Sequence, residues 1–403
     1  MIDQAIVAGI CEGGLACPEG SVQKWDLQSG LTIGSAHKEF ATSDQGATIC
    51  FLPSNVNLDK VGFVALNGQK KSLNYYVFGK ERPIYRFFGQ EKLTALAVRS
   101  YGNCLVVGNE EGKLWAWDMA NGEVIFMISE AHYQRVTTLN FSSDEEYLIS
   151  GSADGTIKVW SWNELVYGQN MPRFCFSDHT KEICDVHVGF GVDRSFRIVT
   201  ASGDGSVMMY DAIDGVAMAR FEFPSPITSV LMTSSEGIII AGAEDGNVYL
   251  IDLMSDSQDI IRETQVQYGE KTFYVLKTGH SASISRLVLS LDEAMLVAGD
   301  MDGQIFVWNL SCQQIARKIK AGGPVRWLGI VTRASCEIDN DKNLIMAQPK
   351  RTLTRLLNLQ SIHKVAPLSS DNETSSSHDD TCGREELLVQ YSRLVDYVFS
   401  KFQ

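Results

Sequence analysis

One unit recurs along this chain. A period of that kind decides what a sequence can fold into, because each repeat becomes a supersecondary unit that buries its faces only against its neighbours. The clearest copy is Val136–Trp162, VTTLNFSSDEEYLISGSADGTIKVWSW. It reads as an alternating apolar strand, a turn, a strand ending in small residues, an acidic residue with Gly, and a strand closing on an aromatic residue with a polar follower. Related copies occupy Leu93–Asp118, Ile183–Asp211, Ile227–Asp252 and Ile284–Asn309. Their third strands end near Trp117, Trp160, Tyr210, Ile251 and Trp308. These ends lie about 41 to 57 residues apart, the length of one four-stranded blade with variable loops. Two weaker copies precede them, closed by Gly20–Asp26 and by Leu73–Phe78. The count is about seven, and the class is all-β.

The turns follow from the same pattern. Asp154-Gly155, Asp204-Gly205, Asp245-Gly246, Asp302-Gly303 and Glu111-Gly112 suit tight turns, where Gly accepts positive φ and the carboxylate takes local hydrogen bonds. The ends suggest how a ring closes. Ala5–Ile10 begins the first unit as a second-type strand, without the innermost strand the other units have, and Gly323–Val331 can supply it. Joining the two ends in one sheet removes exposed strand edges. The alternative is a partial eighth unit from Gly323 to Leu357.

These residues resemble the WD-repeat β-propeller family. The resemblance implies a seven-bladed ring over residues 1–357, with closure by about 323–335. It also implies a structural hydrogen-bond relay beginning at His132, His179 and His280, each just before the first strand of its unit. In the fourth unit the relay is expected to run from His132 through Ser150 or Ser152 and Asp154 to the indole N–H of Trp160. Tyr210 and Ile251 replace Trp in the fifth and sixth units, which are then expected to rely on packing.

The same residue types could be misread as a hydrolase triad. A nucleophilic serine needs a strained elbow such as G-x-S-x-G and an oxyanion hole, and neither is visible. A set repeated in register with each unit carries architecture first. No Gly-Lys-Ser/Thr ends a phosphate loop, and Gly189-Phe190-Gly191 lacks the third glycine of a dinucleotide motif, so it reads as a bend. Asp339–Asn343 starts like a calcium loop, but Leu344 and Lys350 stand where Gly and Glu are needed. The nine cysteines are scattered and contain no C-x-x-C pair, which points to reduced thiols rather than a zinc site. No enzyme, cofactor or metal is expected.

Charge narrows the partners. Thirty-five Lys and Arg against 49 Asp and Glu give a formal charge of -14, which repels phosphate backbones. RNA contact is expected to be weak and local, around Arg317, Lys318, Lys320, Arg326, Arg333, Lys350, Arg351 and Arg355. The first residues lack a signal-peptide pattern, and no apolar run is long enough to span a bilayer, so a soluble intracellular protein is expected.

Residues 358–383 read as a disordered acidic, Ser-rich linker, typified by SSDNETSSSHDDT. Within it Ser376 and Ser377 each precede an Asp by three residues, the spacing an acidophilic kinase reads. Residues 384–403 read as an amphipathic helix with Leu387, Tyr391, Leu394, Val395, Val398 and Phe402 at helical spacing on one face. That face either packs on the ring or docks a partner or a second copy.

Finally, His132-Tyr133-Gln134, the run Asp185–Gly191 (DVHVGFG) and Gly323-Pro324-Val325 resemble the WD-repeat, Ipi-three-like subunit of the Rix-type complex that matures the large ribosomal subunit. That resemblance implies a nuclear, nucleolar or nucleoplasmic scaffold for rRNA processing. It implies a helical-repeat scaffold partner, help in recruiting the midasin AAA ATPase, and a homodimer through the C-terminal helix as an option. A substrate adaptor of a ubiquitin ligase, or another chromatin or replication-licensing scaffold, is the alternative.

Overall fold

The computed structural model describes residues 4–11, 20–34, 36–40, 49–52, 62–67, 71–77, 82–83, 85–88, 91–99, 104–119, 123–191, 196–253, 265–268, 271–276 and 279–332. All of them fall in one compact unit, residues 1–359, while residues 360–403 form a second. The second unit, with the linker and helix expected there, lies outside the described residues.

Strand pairing among the described residues makes seven antiparallel sheets. Six are built from strands consecutive in the chain, and these form blades 2 to 7. Blade 2 holds Ile49–Leu52, Gly62–Asn67, Ser72–Val77 and Tyr85–Phe88, and blade 3 holds Leu93–Arg99, Cys104–Asn109, Leu114–Asp118 and Val124–Ile128. Blade 4 holds Val136–Phe141, Tyr147–Ser152, Ile157–Ser161 and Phe174–Phe176; blade 5 holds Ile183–Val188, Arg197–Ser202, Ser206–Asp211 and Val216–Glu222. Blade 6 holds Ile227–Met232, Ile238–Ala243, Val248–Asp252 and Lys271–Leu276, and blade 7 holds Ile284–Leu289, Met295–Asp300, Gln304–Asn309 and Gln314–Lys320. The expectation of seven like units needs a qualification, because the remaining sheet, blade 1, is a composite. Its inner strand Val325–Thr332 comes from late in the chain and pairs with Gln4–Cys11, followed by Gly20–Asp26 and His37–Phe40. Blade 6 also departs from the pattern: Gln265–Tyr268 pairs outside Lys271–Leu276 as a fifth strand.

Each sheet packs on the next, and Ile284–Leu289 of blade 7 meets Val325–Thr332 of blade 1, which closes the circle. The core is therefore divided into seven apolar layers, one between each pair of neighbouring sheets. A sheet covered on both faces loses the in-out alternation of a half-exposed strand. This is why Phe63–Leu66 and Cys104–Val107 are buried residue after residue. Each fully enclosed Val, Leu or Ile contributes about 1.5–3 kcal/mol of burial.

The small residues that end each second strand have a specific use. A Cβ on Gly108 would lie 2.6 Å from Val136 Cβ, one on Gly151 2.9 Å from Ile183 Cγ2, one on Gly242 2.8 Å from Ile284 Cγ2, and one on Gly299 2.8 Å from Val325 Cγ1. In each case the glycine receives the first apolar residue of the next blade's inner strand, and the repeat is thereby locked to its neighbour. The acid-Gly turns also form as their chemistry requires: Gly112, Gly155, Gly205, Gly246 and Gly303 all have φ between 79° and 84°. Helix is confined, among the described residues, to the single turn Trp162–Val166, which buries Trp162 and Leu165 at the base of blade 4.

Candidate functional site

The side chains that sequence reading singled out meet at one end of blade 4. Trp160 Nε1–H donates to Ser150 Oγ at 2.9 Å, and Ser150 Oγ lies 2.7 Å from His132 Nε2. On the other side of the imidazole, Nδ1 is 3.1 Å from Thr156 Oγ1, whose hydroxyl donates to Asp154 Oδ1 at 2.6 Å. All protons can then point one way, from indole through serine, imidazole and threonine to the carboxylate. That order makes His132 neutral with its proton on Nδ1. Burial lowers the His132 pKa, against the opposing pull of Asp154. Burial alone would raise the Asp154 carboxyl, yet the hydrogen bonds from His132 and Thr156 outweigh it and hold it well below the usual range.

This arrangement corrects the expected order. Asp154 terminates the relay beyond His132 and does not pass it to Trp160, and Ser152 is not a member. Ser152 Oγ instead donates to the carbonyl of Arg135 at 3.0 Å and accepts from the backbone N–H of Asp154 at 3.2 Å, which fixes the turn. Thr156 is the link that sequence reading missed. It lies two residues after Asp154, where a hydroxyl is suited to an Asx-type turn, and its own N–H also donates to Asp154 at 2.8 Å.

Blade 5 keeps the relay without the tryptophan, so packing is only part of what holds it. His179 Nε2 meets Thr200 Oγ1 at 2.8 Å, and Nδ1 meets Ser206 Oγ at 3.0 Å and Asp204 Oδ2 at 3.3 Å. Tyr210 occupies the Trp position and stacks on Phe176 with ring centroids 4.2 Å apart. Burial lowers His179. Burial would raise Asp204, but hydrogen bonds from Ser206 and the Thr180 backbone bring it down to about 2. In blade 7 the serine is replaced by Ala298, and His280 Nδ1 pairs directly with Asp300 Oδ2 at 2.7 Å while its ring stacks on Phe306. Trp308 Nε1–H has no partner among the described residues. In blade 6 Ile251 sits in an apolar layer, as expected of a blade held by packing.

A second buried polar cluster lies on the inner strands. Asp185 of blade 5 is 1% exposed and accepts from Ser229 Oγ at 2.9 Å, from Val230 N–H at 3.1 Å and from Arg286 Nη1 at 2.7 Å. These partners belong to blades 6 and 7, so one carboxylate ties three blades together. Ser229 Oγ in turn accepts from the backbone N–H of Leu287. Asp185 is the first residue of the DVHVGFG run. Its polarity within an inner apolar strand was the available signal.

Every histidine, serine and aspartate of the repeated sets is thus spent on its own blade. Among the described residues no group of three His, Cys, Asp or Glu side chains is placed to hold a metal ion. No described helix is long and apolar enough to cross a membrane. The basic residues Arg317, Lys318 and Lys320 lie on the outer strand of blade 7, where Lys318 sits over the Phe306 ring and Arg317 donates to the carbonyl of Gln28. Leu387, Tyr391, Leu394, Val395, Val398, Phe402, Ser376 and Ser377 lie outside the described residues.

Comparison with known proteins agrees with this geometry. The family model described as "WD domain, G-beta repeat" matches residues 123–161, 170–211 and 271–309. The chain folds as a β-propeller, and three of its units match the WD repeat. Its sequence is Ipi3-like: it is 30% identical to WD repeat-containing protein 18 of Rattus norvegicus over 58% of this chain and 54% of the relative. It is also 28% identical to pre-rRNA-processing protein IPI3 of Yarrowia lipolytica, over 62% of this chain and 59% of the relative. The chain thus spans little more than half the length of these relatives. Among solved structures it is similar to a computationally designed protein, Ika8, with a TM-score of 0.54 and 20% identity over 79% of this chain and 89% of that one. At that identity the likeness concerns the fold alone.

Proposed function

We propose that this propeller is a non-catalytic scaffold of a nuclear complex that processes pre-rRNA during maturation of the large ribosomal subunit. The observation that carries the reading is the sequence likeness to proteins named IPI3 and WD repeat-containing protein 18, one of them named for pre-rRNA processing. The geometry supports it, because the reactive-looking side chains are consumed in blade architecture and leave the loop faces free for binding. In this reading the ring contacts a helical-repeat scaffold protein, and the assembly helps bring a midasin-type AAA ATPase to the precursor particle. Residues 384–403 supply a second attachment, to that partner or to a second copy. Two modest contacts on one chain raise the effective concentration of the second.

Affinity purification of the tagged full-length chain with mass spectrometry, paired with depletion and pre-rRNA blotting, tests the proposal. Recovery of nucleolar large-subunit factors and accumulation of unprocessed large-subunit precursors are expected. Unchanged precursor ratios, with a cullin-adaptor set recovered instead, would overturn it in favour of a ubiquitin-ligase adaptor.

A further inference from the structure

The residue after each relay histidine occupies one structural position in three blades. Its job in the architecture is done by the segment's polar anchor. Tyr133 N–H donates to Asp154 Oδ2 at 3.1 Å, Thr180 N–H to Asp204 Oδ2 at 3.0 Å, and Ser281 Oγ to Asp302 Oδ2 at 2.8 Å. Blades 5 and 7 fill the position with a small hydroxyl residue. Blade 4 fills it with a tyrosine whose side chain is 93% exposed. Nothing in the packing asks for an aromatic ring there, and a tyrosine ring offers a partner a broad apolar face with a polar tip.

The ring is also held still at its base. His132 before it is fixed on both nitrogens, by Ser150 and Thr156. Ser152 Oγ reaches the carbonyl of Gln134 after it. Gly112 of blade 3 lies so close beneath that a Cβ there would meet the carbonyl oxygens of His132 and Gln134 at 2.2 and 2.7 Å. A rigid backbone carrying an exposed aromatic ring loses little entropy on binding, which is the property of an interface anchor.

The charge around the ring selects the occupant. The adjoining turn of blade 3 brings Glu110 and Glu111, 55% and 61% exposed, next to the loop, and Glu130 lies in the connection from blade 3 to blade 4 that carries the ring. Lys113 is shared between Glu91 at 2.9 Å and Glu111 at 2.6 Å, Lys92 lies 3.5 Å from Glu110 and Arg135 2.6 Å from Glu182, so with Glu130 counted the carboxylates outnumber the cations around the ring. We infer that Tyr133 and the carboxylates of the Glu110-Glu111 turn form a docking surface for an extended, arginine-bearing segment of a partner protein. A guanidinium lies over the tyrosine face and is paired by the neighbouring carboxylates. The inference deepens the scaffold reading, since it names the chemistry of one partner contact.

The test uses the full chain and a fluorescein-labelled heptapeptide carrying two arginines among glycines and serines, followed by fluorescence anisotropy at low salt. Binding is expected to weaken about two- to fivefold in Tyr133→Ala, on the scale of an exposed cation–π contact. It is expected to stay within about twofold in Tyr133→Phe, which keeps the ring. A peptide with citrulline in place of arginine is expected to lose binding. Phe190→Ala is the control for a displayed aromatic elsewhere. Phe190 lies in the connection leaving an inner strand and Tyr133 in the connection entering one, so they belong to opposite faces. No saturable binding to the wild type, or equal affinity for Tyr133→Ala, overturns the inference. The two readings fail separately in the purification experiment. If wild type and Tyr133→Ala recover the same pre-rRNA factors in equal amounts, this surface is refuted and the scaffold stands. If wild type recovers none of them, the scaffold reading falls, and the peptide measurement still decides the surface.

Discussion

Ser150→Ala is the most informative single change to this ring. Ser150 is fully enclosed, and its hydroxyl serves two buried groups at once, 2.9 Å from the Trp160 indole nitrogen and 2.7 Å from His132 Nε2. Removing it strands a donor and an acceptor in a site closed to solvent. Each unsatisfied buried group costs about 1–3 kcal/mol, so a loss of about 2–6 kcal/mol is expected. The molecule already contains the partial experiment. Ala298 holds the equivalent place in blade 7, pairing with Phe306 two residues before Trp308 as Ser150 pairs with Lys158 two residues before Trp160, and Trp308 Nε1–H has no partner among the described residues. Blade 7 tolerates this because Asp300 takes His280 directly and Phe306 stacks on its ring. Blade 4 has Ser152 where blade 7 has Asp300, and so lacks that reserve. The reciprocal change, Ala298→Ser, should give Trp308 an acceptor and stabilise by about 1 kcal/mol. Urea unfolding followed by tryptophan fluorescence measures both. A loss below about 0.5 kcal/mol for Ser150→Ala, less than one neutral hydrogen bond, would refute the relay as a stabilising element.

Three other outcomes follow from the geometry. Asp185→Ala removes the carboxylate shared by blades 5, 6 and 7 and leaves Arg286 and Ser229 unmatched; a loss of about 2–4 kcal/mol is expected, and a double-mutant cycle with Arg286→Ala should show coupling, whereas additive losses would mean the pair is idle. Gly151→Ala pushes a methyl group into Ile183 of the next blade, so it should destabilise by about 1–3 kcal/mol, with Ile183→Ala expected to relieve part of the strain in a thermal melt of the double variant. Acidification should weaken the ring in two stages. His132 and His179 are depressed below 6.5, so the unfolded chain takes up protons that the folded ring refuses, and stability present above pH 6.5 is lost as pH falls. Asp154 and Asp204 are depressed below 3.8, so a further loss follows as pH falls through that value; a melting temperature flat from pH 7 to pH 4 would contradict the first stage, and one flat from pH 4 to pH 2 the second.

The parts legible in sequence were those governed by local chemistry. The acid-Gly pairs that lead into the third strands of blades 3 to 7 need a turn with positive φ, and all five of those glycines adopt it. The strands ending at Trp117, Trp160, Tyr210, Ile251 and Trp308 were readable because an apolar strand between two turns has few alternatives. Closure of blade 1 by Val325–Thr332 was readable from a missing inner strand and a spare one. What escaped depends on contacts between distant residues. Asp185 meets Arg286 across 101 positions, and no spacing rule connects them. The order of the relay turned on Thr156, a residue whose type is ordinary in any turn. The fifth strand of blade 6, Gln265–Tyr268, forms because its partner Lys271–Leu276 follows it directly, yet nothing in QVQY distinguishes it from loop. Tyr133 was noted as part of a string, but its exposure is a property of the folded loop.

The composite blade sets a timetable for synthesis. Gln4–Cys11 leaves the ribosome first, yet its inner partner, Val325–Thr332, is made more than 300 residues later. At about 5–20 residues per second the first strand waits on the order of tens of seconds with one edge open, while blades 2 to 7 assemble behind it. The strand that waits is apolar, and Ala5 to Ala8 and Ile10 are fully buried in the finished ring. For that interval it is the segment of the nascent chain best suited to pair with something else. The arrival of Val325–Thr332 is what caps that edge, so the ring is sealed only when the last of the described strands has been made.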